Sequence, residues 1–339
     1  MSRSGKQTLV FDRPPLLAAH SSIVGPKEGK GPLADDFDEI LEDDLLGQRS
    51  WEFAESEMLR RCAARAMNEG GAAEKDVHAF ISGDLNDQLL ASCFAARQMN
   101  VPFLGIYGAC STFVEGLLLG AALVSCGYLE SALCGASSHF CTAERQFRYP
   151  LELGTQRPPA AQWTATAAGV ALIRRAEGPA EGGLYIRSGT LGRVVDMRVN
   201  DANHMGAAMA PAVCDTICAH LADTGRKPEA YDQIVTGDLG WIGRNILLEL
   251  LREKGVILDE ARLFDCGTSL FYEEQDAHAG GSGCGCIASV SCGPVFKRMK
   301  RGELRRALLV GSGALLSPTS SQQGESIPGI AYAAEVEAV

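Results

Sequence analysis

Residues 74–85 read EKDVHAFISGDL and residues 228–239 read PEAYDQIVTGDL, so one pattern recurs at an offset of 154 residues, from Asp84 to Asp238. Each copy predicts a strand ending in a Gly-Asp-Leu turn. Upstream, Leu59, Ala63 and Met67 fall at i, i+4 and i+8. Val213, Ile217 and Leu221 do the same at the same offset. That spacing places each trio on one face of a helix. Downstream, VPFLGIYGA (101–109) predicts a buried strand leading to Cys110 and an apolar helix over 112–126, then strand LESALCGASS (129–138). The second half offers strand ARLFDCG (261–267), a glycine-rich loop, a helix over 284–299 and strand RRALLVGSGA (305–314). Cys110 and Cys284 stand 174 apart, so the second copy carries an insertion before its helix. Strands alternating with helices predict α/β layering. The repeat divides the chain into two halves, 1–195 and 196–339. The length of 339 residues fits that division, since one core stops growing at roughly 250–300 residues.

The segments outside the repeat constrain less. DDFDEILEDD (35–44) holds seven acidic residues in ten and predicts a solvated surface excursion. It lacks the glycine and ligand spacing of an EF-hand. Residues 144–163 and 196–211 predict long loops, which tend to carry function. The formal net charge of -11 argues against nucleic acid as a partner. The twelve cysteines are too sparse for a disulfide scaffold. Cys62, Cys93, Cys126, Cys134, Cys214 and Cys218 read as reduced core residues. No cysteine spacing matches a zinc site, so no metal centre is expected. The apolar stretch Gly116–Leu129 is 14 residues long, against the roughly 20 that a spanning helix needs. The expectation is a soluble cytoplasmic protein that meets a membrane only through partners.

Cys110 is the first candidate for chemistry. Gly108-Ala109-Cys110-Ser111-Thr112 places it between a strand and a helix. Free amide hydrogens and the partial positive charge of a helix start favour thiolate there. Gly280-Gly281-Ser282-Gly283 is the second half's counterpart, a turn whose amides can approach an anion or a carbonyl. Pseudo-symmetry would bring both helix starts to a common centre. His139, after Ser137-Ser138, and His278, before the glycine loop, are candidate bases or donors. Arg145, Arg148 and Arg157 are candidate carboxylate partners, or equally partners of surface acids.

A duplicated α/β chain with cysteine at a strand-to-helix turn resembles the thiolase superfamily. More closely it resembles a branch of that superfamily found in spore-forming bacteria. GKQTLVF (5–11), GPL (31–33), SWEFAE (50–55), GDLNDQ (83–88), GACST (108–112), TAERQFRYP (142–150), AMAPAVCDTI (208–217), AGGSGC (279–284) and GALLSPTSSQQ (313–323) carry the resemblance. It implies a five-layered αβαβα thiolase-like fold and a homodimer. It also implies binding of dipicolinic acid, pyridine-2,6-dicarboxylate, in a pocket at the ancestral active site. Members serve uptake of that acid into the developing spore with other stage V sporulation A proteins at the membrane, on the spore inner membrane's cytoplasmic face. Cys110 matches the thiolase nucleophile. The superfamily's Gly-His-Pro loop is replaced by Ala277-His278-Ala279-Gly280, and Val310-Gly311-Ser312-Gly313 lacks the second cysteine.

Three readings follow. In the first, the chain binds dipicolinate on a retired enzyme fold, with the ligand's contacts drawn from Asp84, Cys110, Ser111, Ser138, His139, Arg145, Arg148, Gly281, Ser282 and Gly283. His139, Arg145 or Arg148 then supplies the cationic contacts, or calcium instead bridges the ligand to Asp84 or Asp238. In the second, Cys110 and His278 support an active acyltransferase. In the third, the pocket is vestigial and the chain is a scaffold of a transport assembly.

Overall fold

The computed structural model describes residues 2–147, 157–178 and 182–339. Ten strands form the main path of its thirteen-stranded central sheet. They are β1 (Leu16–Val24), β2 (Phe80–Gly83), β3 (Phe103–Gly105), β4 (Ser131–Ser138), β5 (Ala167–Arg174), β6 (Leu184–Thr190), β7 (Gln233–Thr236), β8 (Leu263–Asp265), β9 (Arg306–Ala314) and β10 (Gly329–Ala338). Their spatial order is β8-β7-β9-β10-β6-β1-β5-β4-β2-β3. Read from either edge, the pattern of pairing is the same. The first two pairings are parallel and the next two antiparallel. The two runs join where β1 pairs with β6, at Leu17–Leu184 and Leu16–Tyr185.

Helices cover and separate the two runs. They are α1 (Trp51–Glu69), α2 (Leu90–Arg97), α3 (Thr112–Ser125), α4 (Phe140–Phe147), α5 (Met205–Thr224), α6 (Gly240–Glu253) and α7 (Cys284–Val290). Helix α1 lies on β1, β4 and β5, burying Leu59, Ala63 and Met67 as their spacing predicts. Helix α5 lies on β9 and β10 and buries Val213, Ile217 and Leu221. Helix α3 touches β2, β4 and β5 on one side and β9 and β10 on the other. Phe113, Val114, Leu117, Leu118 and Ala121 are accordingly buried around its circumference. Helix α7 lies against α3, β4 and β5. The stacking of helix, strand, helix, strand, helix is the expected thiolase-like arrangement.

Several sequence readings are corrected. The strand expected over 101–109 spans only Phe103–Gly105 and lies at the sheet's edge, with Leu104 40% exposed. The acidic stretch is docked rather than merely solvated. Phe37 and Leu41 are buried, Asp38 binds Lys297 and the Ser22 amide, and Asp36 pairs with Arg301. Cys93 and Cys126 are exposed, and all twelve cysteines are free. Helix α5, at 20 residues, is long and apolar enough to cross a membrane by length and composition. Its buried face shows why: it is a core helix of this fold.

Candidate functional site

The chain leaves β3 and turns sharply before α3. Ala109 makes the turn with φ at +51°, a left-handed value costly for a residue with a Cβ. Ser111 Oγ donates to the Gly108 carbonyl at 2.6 Å, and the Gly108 amide donates to Thr112 Oγ1 at 3.0 Å. These bonds hold Cys110 at the bottom of a pocket, 5% exposed.

The second half supplies the facing group. Asp238 follows β7 in the Gly-Asp-Leu turn and is fully buried. Its Oδ1 accepts from Ser312 Oγ at 2.9 Å, and its Oδ2 from Ser282 Oγ at 3.0 Å and the Gly283 amide at 2.9 Å. Its charge also acts on the Cys110 thiol. Burial, and then the Asp238 carboxylate, push the Cys110 thiol well above its ordinary range. The helix start does not win. Burial destabilises a thiolate with a carboxylate against it by more than a partial positive charge recovers. Cys110 is therefore a neutral thiol, contrary to the sequence expectation.

Asp84, the repeat partner of Asp238, works differently. It accepts the amides of Asn86 at 2.9 Å and Ser92 at 2.7 Å, anchoring the entry to α2. Beside it is Glu55, fully buried and bonded by Asn86 Nδ2, Ser137 Oγ and Thr142 Oγ1. Burial and then the Asp84 charge raise Glu55 to about 8.

The pocket encloses about 550 Å³ of empty space, its open mouth included. Its walls come from both halves. Leu85, Phe147, Met205 and Leu316 give it an apolar character, and Tyr107, Thr164, Ser282 and Glu144 give it polar atoms. Of the sequence candidates, Cys110 and Ser282 line it. Ser111 and Gly283 hold the turn and Asp238 just behind the wall. Gly281 offers its carbonyl to Gln162 Nε2 at 2.8 Å. Ser138 donates to the Ala165 carbonyl and accepts the Gly285 amide.

The remaining candidates lie elsewhere. His139 donates from Nε2 to the Asp44 carbonyl at 2.8 Å and accepts the Cys141 amide at Nδ1, so both ring nitrogens are committed. Arg145 pairs with Glu52 and lies over Trp51. Arg157 donates to the Asp276 carbonyl and stacks on Trp163. Arg148 lies outside the described residues. His278 faces a separate depression with Trp241, Phe271 and Tyr272. Sequence reasoning missed Tyr107 and Glu144. The signal for Glu144 was present in TAERQFRYP, where Ala143 and Phe147 mark the inward face of a helix and Glu144 lies beside it.

A cysteine at a strand-to-helix turn, between two runs of strands in like order, defines the thiolase-like class of fold. Solved structures agree. A variant of OleA from Xanthomonas campestris superposes with a TM-score of 0.64 at 15% identity, covering 97% of this chain and 98% of that one. The 3-oxoacyl-[acyl-carrier-protein] synthase III of Aquifex aeolicus VF5 does so at 0.58 and 12%, covering 96% and 99%. Within that class the chain belongs to the stage V sporulation protein AD family, whose pattern matches residues 5–337. The stage V sporulation protein AD of Bacillus subtilis (strain 168) is 40% identical over 332 residues, 98% of this chain and 97% of that protein.

Proposed function

We propose that this sporulation protein binds dipicolinic acid in the Cys110 pocket and supports its uptake into the developing spore. The observation that carries the reading is the state of Cys110. Acyl transfer needs a nucleophile, a base and donors for the oxyanion together. Here burial and the Asp238 carboxylate keep the thiol protonated, and His278 faces another depression. What remains is a pocket with apolar walls for a flat ring and hydroxyls at Tyr107 and Thr164 for its carboxylates.

The charge of the ligand needs an answer. Among the described lining residues none is a Lys, Arg or His, so a dianion meets no opposite charge there. Calcium arriving as part of the cargo solves this by turning the acid into a neutral chelate. A resident calcium ion fits less well. Asp84 and Asp238 spend their oxygens on amide and hydroxyl donors, and neither lines the pocket. Calorimetric titration with dipicolinate, with and without calcium, tests the reading. The expected result is one site per chain, stronger with calcium, and weakened at least tenfold in Ala202→Trp, which fills the pocket mouth. No heat in either condition overturns it. Incubation with acyl-CoA tests the acyltransferase reading, and an acyl adduct on Cys110 by intact mass would favour it instead.

The same reading puts the chain on the cytoplasmic face of the spore inner membrane, held by other stage V sporulation A proteins. It also makes the chain a homodimer. The edge strand β3 presents unpaired backbone groups with Leu104 and Tyr107 exposed beside them, a surface suited to antiparallel pairing with a second copy. Light scattering behind size exclusion should give twice the chain mass, and Leu104→Lys should return the monomer.

A further inference from the structure

Helix α5 carries two cysteines one turn apart, away from the Cys110 pocket. Cys214 is buried at 3% exposure and Cys218 is half-buried. Cys218 lines a surface cavity between the C-terminal ends of α5 and α6, with Arg226, Lys227 and Lys254 on its wall. Four residues apart on one helix, their side chains lie one above the other on the same face. Neither takes part in the function proposed above.

We infer that Cys214 and Cys218 form a two-coordinate site for a soft monovalent cation, copper(I) in kind. The helix decides between the two things a thiol pair can do. Residues at i and i+4 have Cβ atoms about 5–6 Å apart. A disulfide needs roughly 3.5–4.5 Å, so closing one would unwind α5. That helix is anchored in the core by Met209, Val213 and Ile217, which pack in one cluster with Cys214. A metal ion between the sulfurs spans the longer gap, because it inserts two bonds of about 2.3 Å each (the zinc–thiolate length).

The number of ligands then selects the metal. Zinc takes four ligands. Among the described residues no group of three or more His, Cys, Asp or Glu side chains could hold an ion. The neighbouring carboxylate, Asp215, is held by Arg193. Two thiolates without a third donor suit copper(I), the soft ion that thiolates select.

The chemistry balances without a redox step. Two S–H bonds break, two copper–sulfur bonds form, and two protons pass to solvent. The product carries one negative charge. Arg226, Lys227 and Lys254, on the same cavity wall as Cys218, offset that charge.

The test uses the reduced full-length protein without oxygen, with copper(I) presented as its bicinchoninate complex. The wild type should withdraw one equivalent. Cys214→Ser and Cys218→Ser should each weaken withdrawal at least tenfold, and Cys93→Ser should leave it unchanged. If the serine variants fail to fold, alkylation of the wild type decides. Copper(I) should then protect Cys214 and Cys218 from iodoacetamide while Cys93 and Cys126 react. Withdrawal undiminished in both variants, absence of that protection, or a Cys214–Cys218 disulfide in the oxidised protein would overturn the assignment.

Discussion

Cys110 occupies a nucleophile's position in a nucleophile's turn, yet a carboxylate faces it. The pairing makes chemical predictions. At pH 8 the exposed Cys93 and Cys126 should be alkylated by iodoacetamide while Cys110 remains unmodified, read by peptide mass spectrometry. Rapid modification of Cys110 would mean a thiolate, and would return the acyltransferase reading. Asp238 should also matter to stability. Asp238→Ala strands the Ser282 and Ser312 hydroxyls and the Gly283 amide in a buried site. Each orphaned buried donor costs roughly 1–3 kcal/mol, so a loss of about 3 kcal/mol or more is expected in denaturant unfolding. Sequence identified both residues but not their relation. The repeat marked Asp238, and the turn marked Cys110. Their contact depends on how the two halves fold onto each other, which neither local pattern encodes.

At the scale of elements, the close approach of α7 to β5 holds the inner helix layer in place. Gly169 makes it possible, since a Cβ there would lie 2.1 Å from the Ala288 carbonyl oxygen. That atom belongs to helix backbone and cannot swing aside. Gly169→Ala should therefore cost about 1–3 kcal/mol, the range for overpacking, and lower Tm. An unchanged Tm would show that the layer is looser than this contact implies. Elements of this kind were legible where period and burial agree. The faces of α1 and α5 followed from their i, i+4 spacing, and α3 from its continuous apolar run. The failures have physical causes. Residues 101–109 are apolar enough for a core strand, but apolar composition cannot distinguish a covered strand from an edge. The 35–44 stretch is acidic enough to be solvated, but Lys297 and Arg301, some 260 residues away, draw it onto the surface. Arg145 was open to a ligand carboxylate or a surface acid, and in the fold it pairs with Glu52.

For the molecule as a whole, the buried acids set how stability depends on pH. Burial raises Glu28 and Glu55 to about 8 and Asp265 to about 7, each far above its ordinary value. The folded state keeps these protons where the unfolded chain releases them. Their stabilisation is complete below the ordinary carboxylate range and is lost as pH rises through about 7–8. Buried His20 and His220 act in the opposite sense, lowered to about 4 by desolvation. Their contribution is present above 6.5, the ordinary histidine value, and is lost as pH falls toward 4. At pH 6.5 the unfolded histidines are half protonated, so their remaining gain above that pH is small beside the loss from the acids, which dominate the slope. Each fully buried group contributes at most about 1.4 kcal/mol per pH unit. Thermal unfolding should therefore show a higher Tm at pH 6.5 than at pH 8.5. Glu55→Gln removes one titrating group and should flatten that difference, even if it lowers Tm at both values. A Tm that rises from pH 6.5 to 8.5, or a slope untouched in Glu55→Gln, would mean that these carboxyls are already ionised in the fold. The layered core would then have to hold buried charge beside Asp84 and Asp238, which their hydrogen-bond partners alone do not neutralise.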